Sequence, residues 1–189
     1  MRILKKLTRF IYGTHLITYS QVTGIFTKYG SYRMQAYQDN HQEHLVIMSQ
    51  NFSTLHEPIV YVHSDLHRCD PHDPEGCHCN NQMDMALKMI QKEGGVIVYS
   101  SSDGRSIDGL LSELKSRKLG IEEKVMTKAK INLNLHTTRE YQSIGFILNH
   151  LSLSRIKLIS SDLGVVHVAD QLGINITKRT PAIAFGYGD

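Results

Sequence analysis

Between His63 and Cys79 lie all three cysteines of the chain and four of its eleven histidines. The stretch reads His63-Ser-Asp-Leu-His67-Arg-Cys69-Asp-Pro-His72-Asp-Pro-Glu-Gly-Cys77-His78-Cys79. Pro71, Pro74 and Gly76 interrupt helix and strand alike, so this stretch must be a loop held between regular elements. Thiolates and imidazoles are the ligands zinc prefers, and tetrahedral sites are built from three or four of them. The tight Cys77-x-Cys79 pair reads as ligands rather than as a disulfide framework, in which an odd cysteine would be left over. Such cysteine usage fits a reducing cytoplasm.

At 189 residues the chain suits one domain with a substantial core and is short for two. Its 41% hydrophobic and 21% charged content is ordinary for a soluble globular protein. The formal charge of +3 is small, and much of the excess sits in Arg2, Lys5, Lys6 and Arg9, so nothing in it demands nucleic acid. No apolar run approaches the roughly 20 residues needed to span a bilayer, so no membrane partner is expected. Residues 1–23 read as a basic N-terminal arm rather than a signal peptide, which leaves 24–189 as the domain.

The first third of the chain is strand-like. Tyr32, Met34 and Ala36 alternate within a strand predicted from Tyr29 to Tyr37, and Asp39-Asn40 is a turn signal. Leu45 to Met48 and Pro58 to Val62 are further strands, the last delivering His63 and the cysteine loop at its carboxyl end. A helix capped by Asn80 or Asn81 then places Met83, Ala86, Met89 and Ile90 on one face, and Gly94-Gly95 ends it. Met83, Met85 and Met89 read as core filling. Val96 to Tyr99 is a buried strand. Ile107, Leu110, Leu111 and Leu114 recur at helical spacing, as do Tyr141, Ile144, Ile147, Leu148 and Leu151 behind a Thr138 cap. Strand Ile156 to Ile159, helix Val165 to Leu172 stopped by Gly173, and strand Ile174 to Ile176 follow. Strands first and helix–strand alternation later predict an α+β or mixed α/β fold: a single domain, β-rich at its amino end.

An ordered set of motifs runs along this frame. Thr27-Lys-Tyr-Gly-Ser-Tyr-Arg33, Glu43-His44, His63-Ser-Asp65, Cys77-His-Cys79 and Gln82 come first. Asp103-Gly-Arg105-Ser-Ile107, Arg139-Glu-Tyr141 and Leu158-Ile-Ser160 complete the series. From about Gly24 to about Pro181 the chain resembles the GTP cyclohydrolase II family, which opens guanosine triphosphate at the start of riboflavin synthesis. The resemblance implies zinc, magnesium with the triphosphate, a guanine nucleotide or related purine as substrate, and a homodimer. It casts Cys69, Cys77 and Cys79 as zinc ligands with water in the fourth position. Free thiols, or a closed structural site completed by His63, His67, His72 or His78, stand as the other readings of the same loop.

By the same resemblance Arg139 acts at the α-phosphate, where an always-charged, forked guanidinium matches phosphate oxygens. Asp65, Gln82, Asp103, Gly104, Arg105 and Ser160 become substrate contacts, Asp103 accepting from a guanine amino group. Asp103-Gly104-Arg105 lies between a strand and a helix, where backbone amides attract anions. The chain departs from the family pattern at functional positions. Leu66 stands where a cysteine is expected, and Cys69 comes three residues later. Tyr61 replaces an arginine and Ser116 a tyrosine. Thr137 replaces a proton-handling aspartate, and a hydroxyl is a poor base at neutral pH, which leaves Glu140 as the neighbouring carboxylate for that task. A Thr-Asn-Asn-Pro-Lys-Lys stretch has become Ser160-Ser-Asp-Leu-Gly-Val165, with no lysine.

Overall fold

Leu45-Val-Ile-Met48, Ile59-Val-Tyr-Val62 and Val96-Ile-Val98 are apolar at every position, as strands buried on both faces must be. The computed structural model describes residues 15–39, 42–64, 79–101, 127–131 and 138–182. Within them the chain runs β1 (His15–Tyr19), β2 (Thr23–Thr27), β3 (Gly30–Gln38), β4 (Glu43–Ser49), β5 (Ile59–Ser64), α1 (Cys79–Glu93) and β6 (Gly95–Ser101). It continues through β7 (Thr127–Ile131), α2 (Arg139–His150), β8 (Arg155–Ile159), α3 (Leu163–Gln171) and β9 (Asn175–Thr180). One mixed sheet takes the order β7-β1-β3-β4-β6-β5-β8-β9, with β2 also paired to β3. The half built from β7 to β6 is antiparallel, whereas β6, β5, β8 and β9 are parallel.

Alternate side chains of the central strands feed two cores. Val46, Met48, Val60, Val62, Val96 and Val98 face α2 and α3, meeting Ile144, Ile147, Leu148, Val165 and Val168. Leu45, Ile47, Ile59, Tyr61 and Ile97 face α1, meeting Met83, Ala86, Leu87 and Ile90. A one-residue slip of register would exchange the two sets, so the pairing is specified from both sides. Fully burying a Leu or Ile side chain is worth about 2 kcal/mol, which places most of the stability in this three-layer packing.

The α+β class with a β-rich amino end is what the structure shows. Differences lie in three strands and several boundaries. β1 and the first residue of β2 fall within residues 1–23, and both strands pair with β3, one after the other along the same edge. At the break between them Ser20 substitutes for the ladder: its Oγ accepts from the Ala36 N–H at 3.0 Å, and its carbonyl accepts from the Gln35 side-chain amide at 2.8 Å. α1 begins at Cys79, so Asn80 and Asn81 lie inside it rather than capping it. α3 begins at Leu163, two residues before the predicted start, because Asp162 caps it. The helix read from Ile107, Leu110, Leu111 and Leu114 lies outside the described residues.

Gly95 starts β6 beside Ile59 of β5, in parallel register. Its φ is +155°, and a Cβ there would sit 2.3 Å from the Ile59 carbonyl oxygen. Gly95→Ala should lower the unfolding free energy by at least about 2 kcal/mol, read as a fall in the urea midpoint. Gly24→Ala in β2, with nothing within 4 Å of the added methyl, should stay within about 0.5 kcal/mol of the parent.

Candidate active site

Two strand–helix–strand units share the parallel half of the sheet. One steps from β5 through α1 to β6, and the other from β8 through α3 to β9. The steps run in opposite directions with their helices on opposite faces, which is what a common right-handed crossover requires. Strand order therefore switches between β5 and β8, and the carboxyl ends of two such strands diverge into a crevice where ligands bind. The amino ends of α1, α2 and α3 lie at this same end of the sheet, with the dipole sign that favours anions.

Toward the carboxyl ends of β5 and β6 three rings pack together. Tyr61 is fully buried, and its phenol oxygen lies 2.9 Å from Nδ1 of His63. The His63 ring in turn stacks on Tyr99 of β6, with centroids 5.4 Å apart and planes 7° from parallel. Across the β4–β6 pair, His44 Nδ1 and Ser100 Oγ are 2.8 Å apart and both residues are buried. Burial of such polar groups is tolerated because they are bonded to one another.

On the β8 side, α2 is pinned at both of its ends. Ser143 donates to the buried carboxylate of Asp39 at 2.5 Å, and Asp39 also accepts from the Gln42 N–H at 2.8 Å. Hydrogen bonds to a charged partner contribute about 1.5–3 kcal/mol, so the end of β3 holds the helix firmly. Two residues earlier, the Tyr141 phenol lies 2.8 Å from each oxygen of the Asp162 carboxylate. Asp162 caps α3 by accepting from the Gly164 N–H at 2.7 Å, and its own N–H donates to Ser160 Oγ at 3.1 Å. At the other end of α2, His150 packs against Tyr19, Tyr37 and Phe146. Its Nδ1 lies 3.0 Å from the Tyr37 phenol oxygen, which itself donates to Gln35.

The family model described as GTP cyclohydrolase II matches residues 19–181. The chain belongs to the GTP cyclohydrolase II family. GTP cyclohydrolase-2 of Campylobacter hominis is 28% identical over 148 residues, covering 77% of this chain and 75% of that one. The riboflavin biosynthesis protein RibBA of Chlorobium phaeovibrioides is 32% identical over 163 residues, covering 84% of this chain and 40% of its own. A solved structure of RibBX, a two-domain 3,4-dihydroxy-2-butanone 4-phosphate synthase from A. baumannii, covers 90% of this chain and 40% of that one. Its TM-score is 0.49 and its identity 18%, a likeness too loose to bear on the site.

Of the positions that match the GTP cyclohydrolase II motifs, the structure brings several to the crevice end. Cys79 and Gln82 lie in the first turn of α1, and Gln82 is half-buried. Arg139 and Glu140 open α2, and buried Ser160 follows β8. Asp65, Cys69, Cys77, Asp103, Gly104, Arg105 and Thr137 lie outside the described residues. Among the described residues no three His, Cys, Asp or Glu side chains are grouped as a metal site, and no helix is long and apolar enough to cross a membrane. Asp39 and Asp162 are the groups that sequence reasoning passed over. Asp39 reads as a mere turn residue, and only the tertiary fold brings it against Ser143. Asp162 has a signal, since an aspartate before a helical run is a preferred N-cap.

Two departures from the GTP cyclohydrolase II pattern acquire a physical reading. Val165 is wholly buried among the α2 and α3 side chains. A Cβ on Gly164 would lie 2.2 Å from the Tyr141 ring, so Tyr141 fills the space a side chain at 164 would need.

Partial desolvation by the packed aromatic rings holds the His150 imidazole below its ordinary range, although the residue keeps an exposed face. The unfolded chain then binds more protons than the native one as pH falls through about 6.5, so this residue withdraws stability on acidification. Between about pH 7.5 and 5.5 the urea midpoint of the parent should fall more steeply than that of His150→Gln. Parallel curves would contradict the desolvation of this ring.

Proposed function

We propose that the chain hydrolytically opens the imidazole ring of a guanine nucleotide, releasing formate and pyrophosphate, with zinc and with magnesium on the triphosphate. The supporting observation is the family match across residues 19–181, joined to the position of Cys79, Gln82, Arg139, Glu140 and Ser160 at one end of the sheet. Cys69 and Cys77 fall in sequence between the end of β5 at Ser64 and the start of α1 at Cys79, both at the crevice end. Three sulfur donors beside histidine nitrogens are a set that zinc accepts, so these residues fit the ion. Bound there, zinc supplies hydroxide at neutral pH by lowering the pKa of water to about 7.

The remaining work falls to the chain's own groups. Gln82 and Ser160 border the crevice from opposite sides and hold the nucleotide, with Asp65, Asp103, Gly104 and Arg105 as further contacts. Arg139 engages the α-phosphate, where its fixed charge offsets the negative charge that builds as pyrophosphate departs. Thr137 is too weak an acid or base for neutral pH, so Glu140, next to Arg139 in the first turn of α2, takes and returns the proton.

A second reading is favoured by Tyr61, by buried Val165 and by the filled space over Gly164: a homologue that binds nucleotide or zinc without turnover, or one that acts on a different purine nucleotide. Incubation with GTP and magnesium separates the two. Formate and pyrophosphate should both appear, and Arg139→Ala should lower kcat about a hundredfold. Cys77→Ser should abolish formate release together with stoichiometric zinc, measured by elemental analysis. Bound GTP with neither product favours the second reading.

A further inference from the structure

The geometry points to Tyr141 and Asp162 as the positioning pair that fixes the first turn of α2, and with it the backbone of Arg139 and Glu140. What that turn acts upon rests on the guanine-nucleotide reading above; the pair itself rests on the fold. The first turn of a helix, like the last, lacks internal partners for part of its backbone and is prone to fray. Thr138 occupies the cap position of α2 without a side-chain hydrogen bond, so order must be imposed from outside.

Tyr141 and Asp162 impose it. The phenol is within 2.8 Å of both carboxylate oxygens, and the carboxylate is itself fixed by the Gly164 N–H at 2.7 Å. The Asp162 backbone is tied to buried Ser160. The aromatic ring lies directly on Gly164, where no side chain intervenes. Four positions are thereby made one rigid unit: Ser160 at the end of β8, Asp162 and Gly164 at the start of α3, and Tyr141 in the first turn of α2. That unit spans the crevice wall between a proposed substrate contact and the proposed phosphate-binding turn. A phenylalanine would pack on Gly164 equally well, so the hydroxyl is explained by the tie rather than by packing.

Tyr141→Phe tests the pair, since it removes one oxygen and leaves the ring. Misplacing a reacting group by about 1 Å costs about a hundredfold. Tyr141→Phe should therefore lose about tenfold to a hundredfold in kcat for formate release. KM for GTP should stay within about twofold, because binding is shared with the other contacts. Asp162→Asn, which keeps a carbonyl acceptor, should retain more of the rate than Asp162→Ala. Backbone amides of residues 140–143 should exchange faster in Tyr141→Phe than in the parent, without nucleotide. Wild-type kcat in Tyr141→Phe would overturn the inference, as would an Asp162→Asn no better than Asp162→Ala or unchanged amide exchange. If the parent itself releases no formate, the proposed activity fails alone. The exchange rates then decide for the pair if faster and against it if unchanged.

Discussion

The pairing of β6 with β4 on one side and β5 on the other joins the two halves of this molecule. With β4 the ladder is antiparallel and with β5 it is parallel, so a meander meets a crossover unit on one strand. Val96, Ile97 and Val98 are fully buried and belong alternately to the two cores. Any shift of β6 would expose both cores at once. The close contact of Gly95 with the Ile59 carbonyl sets the start of that register, and the Gly95 N–H is satisfied by Ser49 Oγ at 2.9 Å. The crevice end of β5 and β6 inherits its position from this starting point.

Order at the crevice is imposed by polar ties between elements distant in sequence. Asp39 reaches Ser143, 104 residues away, and Tyr141 reaches Asp162, 21 residues away. Both ties hold α2, the helix that carries the Arg139-Glu-Tyr141 motif. Asp39 is buried and Asp162 half-buried, and a carboxylate withdrawn from water is costly without partners, so each tie is stable only in the assembled fold. Helix packing by Ile144, Ile147 and Leu148 supplies affinity for the sheet, while Asp39 and Asp162 supply angular precision.

Much of the central architecture was legible in the sequence because its strands are buried on two faces and its helices on one. β3, β4, β5, β6 and β8 announce themselves through alternation or unbroken apolar runs, and α1 and α2 through helical spacing. β1, β2 and β7 do not. Ile17 and Ile25 are the buried apolar residues of β1 and β2, and Thr-Lys-Ala-Lys-Ile of β7 has no apolar run. Strands with so little to bury are specified by their neighbours rather than by their own pattern. The family was legible because its motifs are ordered and carry chemistry. The polar ties were not, since aspartate in a turn and aspartate holding a helix look alike until the fold brings their partners close.

Hydrogen exchange followed by mass spectrometry, with and without GTP and magnesium, tests most directly whether one crevice end serves as the nucleotide site. Protection should appear at the amino ends of α1, α2 and α3 and around Ser64, Ser101 and Ser160. The opposite end of the sheet, around Asn51 and Gly94, should be unchanged. Protection confined to that opposite end, or absent at saturating nucleotide, would contradict the placement of the site.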